Sequence, residues 1–153
     1  MKIEYLRDHI GFARTVAKWL HDEFVCGIRD DISYEYVLSS ILECNKQALP
    51  IRLVALTEGK CAGTASLVFN DLKCRDYTPW LAALYVEAGH RNQGIGLLLI
   101  DAVKDIARQL GYDKLYLRTE HASGYYRKLG WEFVETCIDS FNLQPDVFVT
   151  ELG

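Results

Sequence analysis

The chain has 153 residues, half of them apolar and a quarter charged, and 17 basic against 21 acidic residues leave a net charge of −4. That length suits one domain, expected over residues 1–153, and the lack of any Pro-rich, Gly/Ser-rich or low-complexity stretch excludes a linker or disordered tail. The nearly uncharged run Thr78 to Val86, like every other such run in the chain, is far short of the ~20 apolar residues of a membrane span, and charges at Lys2, Glu4, Arg7 and Asp8 argue against a secretory leader, so a cytoplasmic protein with no membrane partner is expected.

Residues 2–6 alternate like a short strand, and Asp8 then offers an N-cap for a helix whose Ile10, Ala13, Ala17, Leu20 and Phe24 recur at helical spacing before Gly27. A second helix is announced by Ser33 as N-cap, with Tyr34, Val37, Leu38, Ile41 and Leu42 in one stripe and Pro50 excluding continuation. From Ile51 the period changes. Residues 51–57 and 60–69 read as a hairpin turning at Glu58-Gly59. After a polar loop, 80–86 (Trp-Leu-Ala-Ala-Leu-Tyr-Val) lacks alternation, as expected of a central strand covered on both faces. Ile95, Leu98, Leu99, Ala102, Val103, Ile106, Ala107 and Leu110 keep one helical stripe up to Gly111. A strand at 114–119 then makes a strand, helix, strand unit with parallel strands. A short helix near 122–129 and strands near 131–138 and 147–151 complete an α/β order.

The five cysteines, at 26, 44, 61, 74 and 137, form no C-x-x-C pair, so neither a disulfide framework nor a metal site is suggested. The negative charge argues against a nucleic-acid partner and suits a cationic substrate. Between the central strand and the long helix, Arg91, Gly94 and Gly96 are spaced as R-x-x-G-x-G. Glycines let backbone approach a ligand, and first-turn amides with the positive end of the helix dipole converge on an anion such as a pyrophosphate. A P-loop is excluded, because no Gly-Lys-Ser/Thr follows, and so is the dinucleotide fingerprint, because Leu99 stands where its third glycine belongs.

The strand end Leu84-Tyr85-Val86, the loop His90-Arg91-Asn92-Gln93-Gly94-Ile95-Gly96, the long amphipathic helix, the next strand and Tyr125-Tyr126-Arg127-Lys128-Leu129-Gly130-Trp131 together resemble the GNAT (GCN5-related) family of N-acetyltransferases. The resemblance implies the acyl-CoA N-acyltransferase fold, a strongly bent mixed sheet whose parallel central pair, 80–86 and 114–119, splays apart between flanking helices. It implies acetyl-CoA as cosubstrate, its pantetheine arm paired with the backbone of Leu84, Tyr85 and Val86. Its pyrophosphate would rest on amides from Arg91 through Asn92, Gln93, Gly94, Ile95 and Gly96, with the acetyl carbonyl polarised by an amide near Val86. Tyr126 would protonate the departing thiolate, Tyr125 being a core residue.

The pattern has departures. Some members of that family carry a glutamate on the central strand as base, but 80–86 contains no carboxylate, and Trp80 stands nearby. Glu87, Glu120 and His121, near the strand ends, are the remaining candidates to accept the amine proton, although Glu120 and His121 also suit caps of the following helix. Where relatives place an asparagine for the pantetheine, Thr119 or Ser123 would substitute. Asp30, Asp31, Asp71, Asp76 and Asp139 could draw a cation, and Trp80, Tyr34 and Tyr36 could wall an acceptor pocket. The expected activity is acetyl transfer to a primary amine, a small molecule being favoured, by direct attack in a ternary complex of a monomer or homodimer. A peptide N-terminus or lysine as acceptor, and a non-catalytic acetyl-CoA sensor, are the alternatives.

Overall fold

Seven runs of β-branched, aromatic and small apolar residues pair into one mixed sheet of order β1-β2-β3-β4-β5-β7-β6. In the computed structural model, which describes all residues from Met1 to Gly153, the strands are β1 (Lys2–Tyr5), β2 (Ile51–Thr57), β3 (Lys60–Val68), β4 (Trp80–Val86), β5 (Lys114–Thr119), β6 (Glu132–Thr136) and β7 (Asp146–Glu151). The helices are α1 (Ala13–Phe24), α2 (Tyr34–Leu42), α3 (Ile95–Gln109) and α4 (Ser123–Lys128). All strand pairs are antiparallel except β4 with β5, joined by α3 and lying parallel at the centre. The hairpin β2–β3 turns through two left-handed residues, Glu58 (φ 52°) and Gly59 (φ 76°), as a two-residue loop requires.

Each face of the sheet has its own core. On one, the α3 stripe of Ile95, Leu99, Ile100, Val103 and Ala107 packs on Leu53, Ala65, Leu81, Leu117 and Phe148. Gly63 on β3 sets how closely α3 can lie, because a Cβ there would meet the Tyr85 carbonyl at 3.0 Å and Leu99 Cδ1 at 3.2 Å. On the other face, α1 and α2 bury Val16, Ala17, Leu20 and Ile41 against Leu6 and Val54. A third group, Leu72, Trp80, Cys137 and Val147, lies under the loops. No helix is long and apolar enough to cross a membrane.

Ser33 caps α2 as expected, accepting from Tyr36 N–H at 3.1 Å. Asp8 does not cap α1. The backbone breaks at His9 (φ −137°) inside a 3₁₀ segment from Leu6 to Phe12, α1 begins at Ala13, and Asp8 pairs instead with Lys46 at 2.8 Å. The expected stripe accordingly shortens: Ile10 and Phe24 are exposed at its two ends.

Candidate active site

β4 and β5 share a single register pair, Trp80 with Tyr116, backed by Tyr116 N–H donating to the Pro79 carbonyl at 3.0 Å. Beyond it the strands part. Leu81 to Val86 and Leu117 to Thr119 have no ladder to one another, and burial along β4 falls from its first three residues to its last four. The expectation of a strand covered on both faces therefore holds only for its first half. A bulge opposite Thr64 to Ser66 re-aims the open half, with Ala83 held at φ 55°, a backbone region a non-glycine residue rarely adopts. Glu87 N–H bonds the Ala62 carbonyl on β3, so by strand alternation the Val86 N–H points the other way, into the gap.

The loop above that gap ends in Gly94 (φ 78°), which stands at the N-cap of α3. The first intrahelical bond runs from Leu98 N–H to the Gly94 carbonyl at 3.1 Å, and no amide from Asn92 to Leu97 has a hydrogen-bond partner in the chain. Asn92 is left-handed as well (φ 64°), which folds the loop back so that its amides precede the helix amides in one turn. Gly94 is required by its backbone conformation. Gly96 is not, and a Cβ there would meet only Val86 Cγ2 at an ordinary 3.8 Å. Its missing side chain serves no packing within the chain and leaves the amides open to a large anion. The Arg91 side chain folds back, Nε donating to the Val86 carbonyl at 2.9 Å and the guanidinium lying 5.4 Å from the Tyr85 ring centroid.

Behind the gap, α4 presents Tyr126 to the core and Tyr125 to solvent, the reverse of the core assignment expected for Tyr125: Tyr126 is 8% exposed and Tyr125 44%. Tyr126 packs edge-on to Trp131 and near Phe148. Its hydroxyl makes no hydrogen bond in the chain, yet it is absent from the sealed unsatisfied groups, which are only Arg29 Nε and Thr78 Oγ1. The phenol therefore combines a packed ring with an open hydroxyl. Burial pushes its pKa up to about 12, with Tyr125 adding to the rise. Thr119 Oγ1 accepts from Ala122 N–H at 3.0 Å, so Thr119 rather than Glu120 or His121 caps this turn. Ser123 Oγ donates to Asp146 at 2.6 Å. Both hydroxyls expected to face the pantetheine already have a partner.

On the sheet face away from α3 lies a cavity of about 590 Å³ where four segments meet: Arg29 from the α1–α2 loop, Asp71 and Lys73 after β3, Arg118 on β5, and Asp139 after β6. Arg118 is the hub. Its Nη2 reaches Glu120 and Asp139, each at 2.7 Å. Asp139 is saturated, because its Oδ1 accepts from Phe141 and Leu143 N–H at 2.8 and 2.9 Å and its Oδ2 also faces Arg29 at 3.6 Å. Burial alone would raise its pKa, but Arg118 and the two amides outweigh burial and hold it below the ordinary range. Asp71, by contrast, has no hydrogen bond or ion pair through its carboxylate, and burial pushes its pKa up to about 6 against the pull of Arg118 and Arg29.

The other expected groups are placed elsewhere. Glu87 caps a 3₁₀ turn, accepting from Gly89 N–H at 3.0 Å and contacting His90 Nδ1 at 2.7 Å, and these bonds lower its pKa. His121 is exposed. Trp80 walls no pocket: it is fully buried, with Nε1 bonded to the Tyr77 carbonyl. Tyr34 donates to the Arg14 carbonyl, Tyr36 is exposed, Asp30 accepts from Gly27 N–H, and Asp31 and Asp76 are exposed.

The description Acetyltransferase (GNAT) family matches residues 11–131. Human (Homo sapiens) N-acetyltransferase 8B is 36% identical over 84 residues, 52% of this chain and 37% of that protein, so the alignment spans little more than a third of that relative. Among solved structures, an aminoglycoside 6'-N-acetyltransferase complexed with coenzyme A superposes with a TM-score of 0.79 at 15% identity, covering 100% of this chain and 98% of that one. Ribosomal-protein-alanine N-acetyltransferase from Brucella melitensis superposes with a TM-score of 0.75 at 19% identity, covering 99% of each chain. At such identities the two structures establish a common fold.

Proposed function

This chain belongs to the GNAT acetyltransferase family, and on that footing we propose that it is an N-acetyltransferase that uses acetyl-CoA to acetylate a primary amine, a small-molecule amine in preference to a peptide. The observation that carries the reading is the row of unpartnered amides from Asn92 to Leu97, set beside a gap in the sheet. Those amides and the α3 dipole would hold the pyrophosphate. The open edge of β4 at Leu84 to Val86 would pair with the pantetheine, and the Val86 N–H would donate to the acetyl carbonyl. When bound, acetyl-CoA supplies an activated acetyl thioester. The chain orients it, and Tyr126, protonated at any physiological pH, gives its proton to the leaving sulfur.

Three of the five thiols are poor nucleophiles: Cys44 and Cys137 are buried, and burial pushes the Cys61 pKa up to about 11, leaving little thiolate. Cys26 and Cys74 are exposed, Cys74 in the lining of the cavity, and direct transfer is distinguished from a route through either by the cysteine-acetylation outcome of the test below. A small acceptor is supported by the cavity, whose volume of about 590 Å³ falls within the ~300–1,000 Å³ of small-molecule sites, and by the likeness to an aminoglycoside acetyltransferase. Titration calorimetry with acetyl-CoA, followed by thiol release in the presence of kanamycin, spermidine, benzylamine and an alanyl peptide, tests the reading. Binding with amine-dependent release is expected. Binding without release by any acceptor would make the protein a sensor, and acetyl transfer onto a cysteine from acetyl-CoA alone would replace the direct route.

A further inference from the structure

The cavity on the face away from α3 holds two acidic side chains, and only one is free. Asp139 is consumed by two backbone amides, Arg118 and Arg29. Glu120, at the end of β5, is consumed by Arg118. Asp71 lines the same space with a carboxylate that accepts no hydrogen bond from the chain and feels Arg118, Arg29 and Arg52 only through space. Its segment is tied to the open half of β5, because Arg118 Nη1 reaches the Asp71 carbonyl at 3.5 Å and Arg118 lies two residues beyond Tyr116, where β5 leaves β4. An unpaired carboxylate in a small cavity on the sheet face away from the phosphate cradle, joined through Arg118 to the part of β5 that has left β4, is placed to meet an incoming cation.

We propose that Asp71 binds the ammonium group of the acceptor and takes its proton, acting as the general base that β4 does not supply; this rests on the acetyltransferase reading. One N–H bond of the ammonium breaks and one O–H bond forms on Asp71, freeing the nitrogen lone pair. The nitrogen then bonds the acetyl carbon as the carbon–sulfur bond breaks, the sulfur leaves as thiol with the Tyr126 proton, the remaining extra proton on the acylated nitrogen passes through solvent water to the Tyr126 phenolate and restores it, and Asp71 returns its own proton to solvent through the cavity. The charged groups around Asp71 are Arg52 from β2, Arg29 from the α1–α2 loop, Arg118 and Glu120 from β5 and its end, Asp139 from the β6–β7 loop, and Lys73 beside it. Arg52 is engaged by Ser66 and by the Glu43 and Ser40 carbonyls, Arg29 faces Asp139, and Lys73 makes no ion pair with Asp71 although it lines the same cavity, so the carboxylate is open to the ammonium of an acceptor.

The test compares wild type, Asp71→Asn and Asp71→Glu by thiol release from acetyl-CoA with kanamycin, spermidine, benzylamine and an alanyl peptide between pH 5 and 10. In wild type, kcat/KM should fall on the acid side with a pKa near the value of about 6 that Asp71 carries. In Asp71→Asn it should drop about 10²-fold at pH 7.5, and the limb should move up toward the acceptor's own pKa, near ~10 for an alkylamine. Asp71→Glu should restore part of the rate, and acetyl-CoA affinity should stay unchanged in both variants.

Thermal unfolding separates a base from a structural residue. A carboxyl whose folded pKa is raised stabilises the fold below its unfolded pKa, and that stability is lost as pH rises through the folded value. Asp71→Asn should therefore raise Tm at pH 7.5 relative to wild type, and the gain should vanish below pH ~4. An unchanged limb or rate in Asp71→Asn overturns the proposal, and so does a fall in Tm with loss of acetyl-CoA affinity. Failure of wild type itself to release thiol with any of the four amines overturns the transferase reading beneath it.

Discussion

On the α3 side of the β4–β5 gap, the groups offered to a ligand are backbone amides from one continuous turn; on the opposite side they are charged side chains brought by four separate segments. The first side needs a shape and almost no particular side chain, so it is set by where glycine and a left-handed turn occur. The second is an electrostatic balance in which most charges neutralise one another. Arg118 and Asp139 hold the loops together, and Asp71 is left over. Binding on the first side should be sensitive to what intrudes, and on the second to which partner is removed.

The sharpest way to break this contrast is Gly96→Asp. Its Cβ fits beside Val86 without a shift, so folding should survive, while a carboxylate enters the space before the free amides. Loss of two charge-assisted hydrogen bonds at ~2 kcal/mol each predicts a roughly 10³-fold weaker Kd for acetyl-CoA by calorimetry. Unchanged affinity in a folded variant would remove the phosphate cradle from the mechanism.

Arg118→Ala tests the other side, and its effect should fall on stability. The guanidinium is 10% exposed and its loss leaves Asp139 with two amides and the more distant Arg29. A buried pair broken from one side costs about 3–5 kcal/mol, and the remaining partners place the expected loss near the lower figure, read from urea unfolding at pH 7. Asp139 is held below its ordinary pKa, so its contribution is present above the usual aspartate range and disappears as pH falls through the folded value. The gap between variant and wild type should narrow below pH ~4. Acetyl-CoA affinity should not change.

The same contrast explains what the sequence made legible. The α3 stripe and the β2–β3 hairpin are local periodicities, and the cradle is a local spacing, so all three could be read from consecutive residues. The start of α1 departs from the local pattern because Asp8 has a better partner in Lys46, 38 positions away, and because His9 leaves the helical region. Tyr125 and Tyr126 are adjacent, and only the packing of α4 on Phe148 and Trp131 decides which turns inward. Asp71 stood among five aspartates as a potential cation ligand. What distinguishes it is that Asp139, from a distant loop, takes Arg118 and Arg29 away from it, and no sequence window contains that competition.

Tyr126→Phe separates chemistry from both binding surfaces. The ring keeps its contacts with Trp131 and Phe148, and only an unpartnered hydroxyl is removed, so stability and acetyl-CoA affinity should be close to wild type. If that hydroxyl protonates the leaving sulfur, kcat at pH 7 should fall about 10²-fold. A thiol of pKa near ~8.5 leaves unaided as thiolate at higher pH, whereas the phenol, with a pKa of about 12, keeps its proton throughout. The defect should therefore shrink as pH rises toward 9.5. Wild-type turnover at pH 7, measured with chemistry limiting, would leave water as the donor.

The smallest effect is expected at Arg91, and it bears most directly on whether backbone alone makes the cradle. Its Nε is fastened to the Val86 carbonyl and its guanidinium lies on the Tyr85 ring, so the residue closes the loop over the end of β4 while exposing a charge to solvent. An exposed charge acting on a phosphate through water contributes less than ~1 kcal/mol. Arg91→Ala should thus raise the acetyl-CoA Kd only a few-fold, and the difference should shrink at 0.5 M salt, where screening shortens the reach of the charge. Arg91→Lys sorts the two roles, since it keeps the charge but cannot reproduce the Nε bond with the planar stacking on Tyr85. Recovery of affinity with lysine would assign Arg91 to electrostatics. Failure to recover would assign it to holding the loop, and a loss as large as that of Gly96→Asp would mean that the side chain, not the amides, carries the anion.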